Sequence, residues 1–250
     1  MFTWNQPEAK FQVDALQSCR QGLLDKKKSI HYIYGMDPEK TVDIRSVVFS
    51  KYINTINSSI YGHLFLDQDL RDLAWWQKVG SKQPHEKTYA LAVQEWEIFL
   101  RWGLFHTAFS IYESFLRILI RAIDPSACSF GTAGFQSIYT TLCSTKLSAP
   151  YPQAAELSNL MRLIRNTIHN NGLHVSPDKK ATTVCCNSKT YTFGHMQALN
   201  ILTWSLIIEL LELQGSVVHA LSIDPVVKAL PHIEDEYITA TEEPAPTIVR

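Results

Sequence analysis

The sequence predicts a mainly α-helical protein with one small β-hairpin, on three observations. From Lys87 to Ile123 apolar side chains fall on nearly every helical face, with Trp96, Phe99, Trp102, Phe105, Phe109, Phe115 and Leu119 among the large ones. A helix of that kind belongs in the middle of a bundle or at a subunit contact. Farther on, Leu160, Leu163, Ile164 and Ile168 recur at helical spacing against a polar stripe. Strand-like sequence is confined to Ala181 to Cys186 and Lys189 to Phe193, which flank the turn residues Asn187 and Ser188. A hairpin this small does not stand alone, so it is expected to pack on the helices.

Taken in order, Pro7 to about Lys27 reads as a helix with Phe11, Ala15, Leu16 and Leu23 as apolar positions. Lys26, Lys27 and Lys28 stand where cations favour a helix C-terminus. Asp37 and Pro38 form an N-cap and first-turn pair for a helix reaching about Ile60 through Ile44, Val48, Phe49, Ile53 and Ile56. A shorter helix is expected from Asp69 to Val79, stopping at Gly80, with a connection over Ser81 to His85. The long helix ends at Asp124, because a residue before proline is pushed out of helical geometry. Phe135 to Leu147 resumes a helix with Phe135, Ile138, Leu142 and Cys143 inward, and Pro150 and Pro152 lead into the helix that carries the polar stripe. Gly172 is placed to be the left-handed residue that closes it. After a turn at Ser176-Pro177-Asp178 and the hairpin, His195 to about Leu221 is a last helix with Leu199, Leu202, Leu206, Leu210 and Leu213 along one face. The organisation is thus an N-terminal helical extension over residues 1–85, a helical domain over 86–222 and an acidic, proline-containing tail over 223–250.

The totals exclude several function classes. A net charge of −1 removes bulk phosphate attraction as a binding mechanism and leaves only a local basic site. Five cysteines, an odd number with no C-x-x-C pair, argue against a disulfide framework. Cys185 and Cys186 would face opposite sides of a strand, and no His or Cys pair has zinc-finger spacing, so no metal or cofactor is expected. Residues 1–7 carry no basic leader and no apolar signal core. The most apolar stretches are broken by Arg101, Glu113, Arg117, Arg121, Glu209 and Glu212, so none reads as a membrane span, and the expectation is a reduced, cytoplasmic protein.

The polar stripe carries the chemistry. At 100° per residue Arg162, Arg165, Asn166 and His169 fall within an arc of roughly 100°, placing two guanidiniums, an amide and an imidazole on one side of a helix. Without further information such a stripe is a solvated helix face, and a histidine before a capping glycine is a helix-end residue.

An Arg-Asn pair, a short spacer, a histidine near a helix end and a following Asn-Asn-Gly resemble the active-site helix of the HEPN superfamily (higher eukaryotes and prokaryotes nucleotide-binding domain). Many members are metal-independent ribonucleases with an Arg-x(4 to 6)-His signature. Here Arg165 and His169 are separated by three residues and Arg162 and His169 by six. Either Arg162 supplies the family arginine or this is a shortened variant led by Arg165 and Asn166. The resemblance covers residues 87–221 and is specific at the motif. It implies an antiparallel HEPN bundle, RNA as substrate, and a homodimer in which two motif helices face each other. It also implies a setting in prokaryotic conflict, as a toxin or anti-phage effector. In such a site His169 is the general base or acid, Arg165 or Arg162 holds the phosphate, and Asn166 orients a phosphate oxygen or the imidazole. The alternative is a non-catalytic HEPN module that binds nucleotide, RNA or a protein such as a nucleotidyltransferase antitoxin. Of the remaining polar residues, Glu113 is expected to pair with Arg117 four residues on, His106 to be a core or interface residue, and His174 to be a solvated loop residue.

Overall fold

In a computed structural model, which describes residues 7–37, 42–80, 85–127 and 134–235, the apolar run forms α4 (Glu86–Ile123), 38 residues and about 57 Å long at 1.5 Å per residue. Before it come α1 (Pro7–Tyr34), α2 (Ile44–Phe65) and α3 (Leu73–Val79); after it α5 (Phe135–Thr141), α6 (Pro152–His169), β1 (Thr182–Cys186), β2 (Lys189–Phe193), α7 (Trp204–Ser222) and the short α8 (Pro225–Lys228). The described residues are mainly helical, with one two-stranded antiparallel sheet in which Cys186 pairs with Lys189 across the turn. Single π-helical turns, Leu66–Leu70 and Leu142–Lys146, prolong α2 and α5.

α2 lies against α1 and α4, α7 against the same two helices, and α6 against α5 and β1. One apolar cluster joins Leu16 and Ile30 of α1, Phe49 and Tyr52 of α2, Tyr112 and Phe115 of α4, Leu160 and Ile164 of α6, and Val218 of α7. The N-terminal helices therefore share their core with α4, α6 and α7. Each such side chain contributes roughly 1.5–3 kcal/mol by burial. α7 is long and apolar enough to cross a membrane, contrary to the reading that no stretch is, yet Leu206, Leu210, Val218 and Leu221 are buried inside the bundle.

Several boundaries differ from the sequence expectation. α1 continues two turns beyond Lys27, because Gly35 at φ 61° closes it with Met36 N–H on His31 O at 3.0 Å, so the three lysines sit within the helix. α2 starts at Ile44, where the Asp43 carboxylate accepts from Arg45 N–H at 2.9 Å; the expected start at Pro38 lies outside the described residues. α3 starts at Leu73 with Asp72 as cap, since residues 66–70 belong to the end of α2. α7 starts nine residues after His195, at Trp204, with Thr203 as cap. The preceding residues instead pair their backbone with the loop after α6, through Leu199 N–H on Gly172 O at 2.9 Å and His174 N–H on Gln197 O at 3.0 Å. Of the expected tail, residues 225–235 are docked: Val227, Ile233 and Asp235 are buried, and Ile44 N–H donates to Ile233 O at 2.8 Å.

His63 of α2 is fully buried and, among the described residues, neither ring nitrogen is hydrogen-bonded; its ring lies 4.5 Å from that of Trp204. Burial, and then the charge of Arg71, lowers its pKa to about 4. An unfolded chain takes up this proton near pH 6.5 while the folded chain resists it until about pH 4. The stability contributed is therefore complete above pH 6.5 and is lost as pH falls through the window down to about 4, by about 3 kcal/mol. Urea unfolding between pH 7 and 4.5 should show this loss, and His63→Leu should remove that share of it. A His63→Leu protein with the full wild-type slope would contradict the assignment.

Candidate functional site: the end of α6

α6 begins with Pro152 in its first turn, where a missing N–H costs nothing, and buries Leu157, Leu160, Ile164 and Ile168. Its end is closed by Asn171, at φ 57°, rather than by Gly172 alone: Gly172 N–H reaches Thr167 O at 3.0 Å, and both residues have positive φ. The loop that follows is held by the backbone pairing to residues 197–199 and by His174. His174 is buried, with Nδ1 3.4 Å from the Thr167 hydroxyl, Nε2 3.0 Å from that of Thr182, and its ring against Phe193. Burial, then His195 and Arg162, lowers its pKa. His174 is thus a brace between α6 and the hairpin, and the expectation of a solvated loop histidine is corrected. The hairpin folds over it, which no local pattern reveals.

The polar stripe divides into two groups. His169 is exposed in the last turn, and its ring meets that of His106, on α4, edge to face at 5.3 Å and 86°. His106 is half-buried, and its pKa is lowered first by burial, then by His169 and Arg165. Among the described residues the Arg165 side chain is tied to its neighbour alone, through Nη1 on Asn166 Oδ1 at 3.3 Å. Arg162 leans elsewhere: Nη2 donates to Asn159 Oδ1 at 2.9 Å, an oxygen that also accepts from the Tyr139 hydroxyl at 3.3 Å. The buried Nε of Arg162 has no hydrogen-bond partner. The structure therefore brings His169 and Arg165 to His106, with Asn166 bonded to Arg165, while Arg162 bonds the Asn159 oxygen that Tyr139 of α5 also reaches. On sequence alone His106 is expected to be a core or interface residue. Nothing local in α4 says which of its faces meets α6, so its place beside His169 had no sequence signal.

The other expectations concern residues away from this end. Glu113 and Arg117 form the expected pair, with Arg117 Nε on Glu113 Oε1 at 2.9 Å. Cys185 is exposed and Cys186 buried, as strand alternation requires. Burial raises the thiols of Cys19 and Cys143 to about 12 and that of Cys186 to about 11, so these are apolar fillers rather than nucleophiles; Cys128 lies outside the described residues. Among the described residues no three His, Cys, Asp or Glu side chains are grouped so as to hold a metal ion.

Grooves of about 390, 300, 300 and 120 Å³ lie elsewhere, and none is lined by Arg165 or His169. His169 is exposed and His106 half-buried, so the imidazole pair stands at the surface. No family model, curated protein or solved structure matches the chain.

Proposed function

We propose that the protein is a metal-independent endoribonuclease of HEPN type, cleaving RNA by attack of a 2′-hydroxyl on its own phosphate. The observation that carries this reading is the pair of imidazoles, His106 and His169, beside Arg165 on an exposed surface. Transesterification needs a base, an acid and a cation, and the pair offers two proton-transfer groups in one chain. His106, kept neutral by burial and by its positive neighbours, takes the 2′-hydroxyl proton. The 2′-oxygen bonds to phosphorus, the bond from phosphorus to the 5′-oxygen breaks, and His169 gives that oxygen its proton. The products carry a 2′,3′-cyclic phosphate and a 5′-hydroxyl. Arg165 holds the phosphate oxygens through its guanidinium fork as charge builds on them, and Asn166 orients that fork. Arg165 is the motif arginine in this assignment, since Arg162 is engaged with Asn159.

By resemblance to HEPN proteins the protein is a homodimer and acts as a toxin or an anti-phage effector. A two-fold contact would add a second His169 and Arg165 to the first. Incubation with total RNA in excess chelator, followed by end-group analysis, tests the reading: cyclic-phosphate ends are expected. Intact RNA, together with measurable nucleotide binding, would favour a non-catalytic HEPN module.

The pH profile offers an independent check. Because the pKa of His106 is lowered, cleavage should rise with pH along a limb centred below the ordinary histidine value of about 6.5. Arg165→Gln removes one of the positive charges that lower it, so the residual activity should show that limb moved to higher pH. A limb that stays in place in Arg165→Gln would contradict the role given to His106.

A further inference from the structure

We propose that the groove between α2 and α4 receives an unpaired nucleobase of the RNA strand that His106 and His169 cleave. The inference rests on the ribonucleolytic reading above and names its substrate class: single-stranded RNA. The groove has a volume of about 300 Å³. At one end α2 and α4 come into direct contact, for a Cβ on Gly62 would lie 2.4 Å from Leu100 Cδ2, so a larger residue there would make the Leu100 side chain shift. There the Trp96 indole N–H donates to Gly62 O at 3.3 Å, which fixes the ring as a wall. Phe99 extends the wall, with ring centroids 5.3 Å apart and 63% of the residue exposed. Next to it Gly103 leaves the helix bare: a Cβ there would meet nothing within 4 Å. An aromatic wall beside a bare stretch of helix makes a slot for a flat ring.

A second observation is polar. Ser59 lines the same groove, is 5% exposed, and among the described residues its hydroxyl makes no hydrogen bond. A buried hydroxyl without a partner is unfavourable, and this one is closed to solvent, so a base edge reaches it when the Ser59 side chain turns towards the groove. Aromatic faces for stacking together with a hydroxyl for the base edge describe a heteroaromatic ring better than an aliphatic one. His106 follows Gly103 by three residues, about 4.5 Å along the helix axis, so the slot and the imidazole pair are neighbours on α4. One strand can seat a base in the slot and present an adjoining phosphate to His106; a base paired in a duplex cannot enter.

The test uses a fluorescein-labelled 2′-O-methyl RNA hexamer, which cannot undergo 2′-hydroxyl attack, so that binding is read separately from cleavage. Fluorescence anisotropy should show binding to the wild type and at least about tenfold weaker binding of the same strand annealed to its complement. Gly103→Leu fills open space, so it should keep the helical circular dichroism and thermal midpoint of the wild type while weakening hexamer binding about tenfold or more. Equal affinity of Gly103→Leu and wild type, or no hexamer binding by the wild type, overturns the proposal. A Gly103→Leu protein that changes oligomeric state but not affinity also overturns it, and makes the groove a contact between copies. Groove-dependent binding by a wild type that leaves natural RNA intact upholds this inference and removes the cleavage reading instead.

Discussion

Asp43→Ala is expected to destabilise the fold by about 3–5 kcal/mol, enough to remove most of the stability of an ordinary domain. Asp43 and Arg45 form a two-pronged ion pair with side chains 1% and 3% exposed, Arg45 Nε on Oδ1 at 2.9 Å and Nη2 on Oδ2 at 2.5 Å. The same carboxylate caps α2 and accepts from Ile233 N–H at 3.1 Å. Arg45 in turn donates to Val227 O at 3.1 Å and Pro231 O at 3.0 Å and lies 4.1 Å over the Tyr34 ring. This cluster ties residues 227–233 to α1 and α2. Deleting the carboxylate leaves a buried guanidinium uncompensated, and that accounts for most of the expected effect. Asp43→Ala/Arg45→Met, which removes both charges, should recover a large part of the loss. Urea unfolding decides it: a loss below about 1 kcal/mol in Asp43→Ala would show that the pair matters little.

His169→Ala and Arg165→Ala should each abolish most RNA cleavage while leaving the fold intact. His169 is exposed and Arg165, among the described residues, is bonded to Asn166 alone, so neither truncation opens a cavity in the core. Loss of a proton-transfer group is expected to slow cleavage about 10²–10⁴-fold, and loss of a guanidinium aimed at the developing charge about 10²–10³-fold. Arg162→Ala should behave differently. Its contacts with Asn159 make it part of the packing of α6 on α5, so its effect should fall on stability more than on rate. Rates measured on one unstructured RNA, with circular dichroism of each variant, separate the two arginines. Arg162→Ala as damaging to rate as Arg165→Ala, in a folded protein, would reverse the assignment.

Local rules made some elements legible and long-range contacts hid others. α6 was readable because Pro152 starts it and Asn-Asn-Gly ends it, and the hairpin because Asn187 and Ser188 tolerate the positive φ of 50° and 61° its turn requires. The start of α2 at Asp43 was hidden because that carboxylate is fixed by Ile233, distant in sequence, as well as by the nearby Arg45. The late start of α7 was hidden for a similar reason, since residues 195–203 give their backbone bonds to the loop after α6. At the site the shared stripe of Arg165, Asn166 and His169 followed from helix periodicity alone. The approach of His106, the burial of His174 and the turning away of Arg162 all depend on how α4, α5 and the hairpin pack on α6, and periodicity is silent on that.

The most direct test of the imidazole pair is a double-mutant cycle on RNA cleavage with His106→Ala, His169→Ala and the combination. If both rings serve one transesterification, each single variant loses about 10²–10⁴-fold and the double loses little more than the worse single. Wild-type cleavage by His106→Ala, or losses that multiply in the double variant, would contradict it.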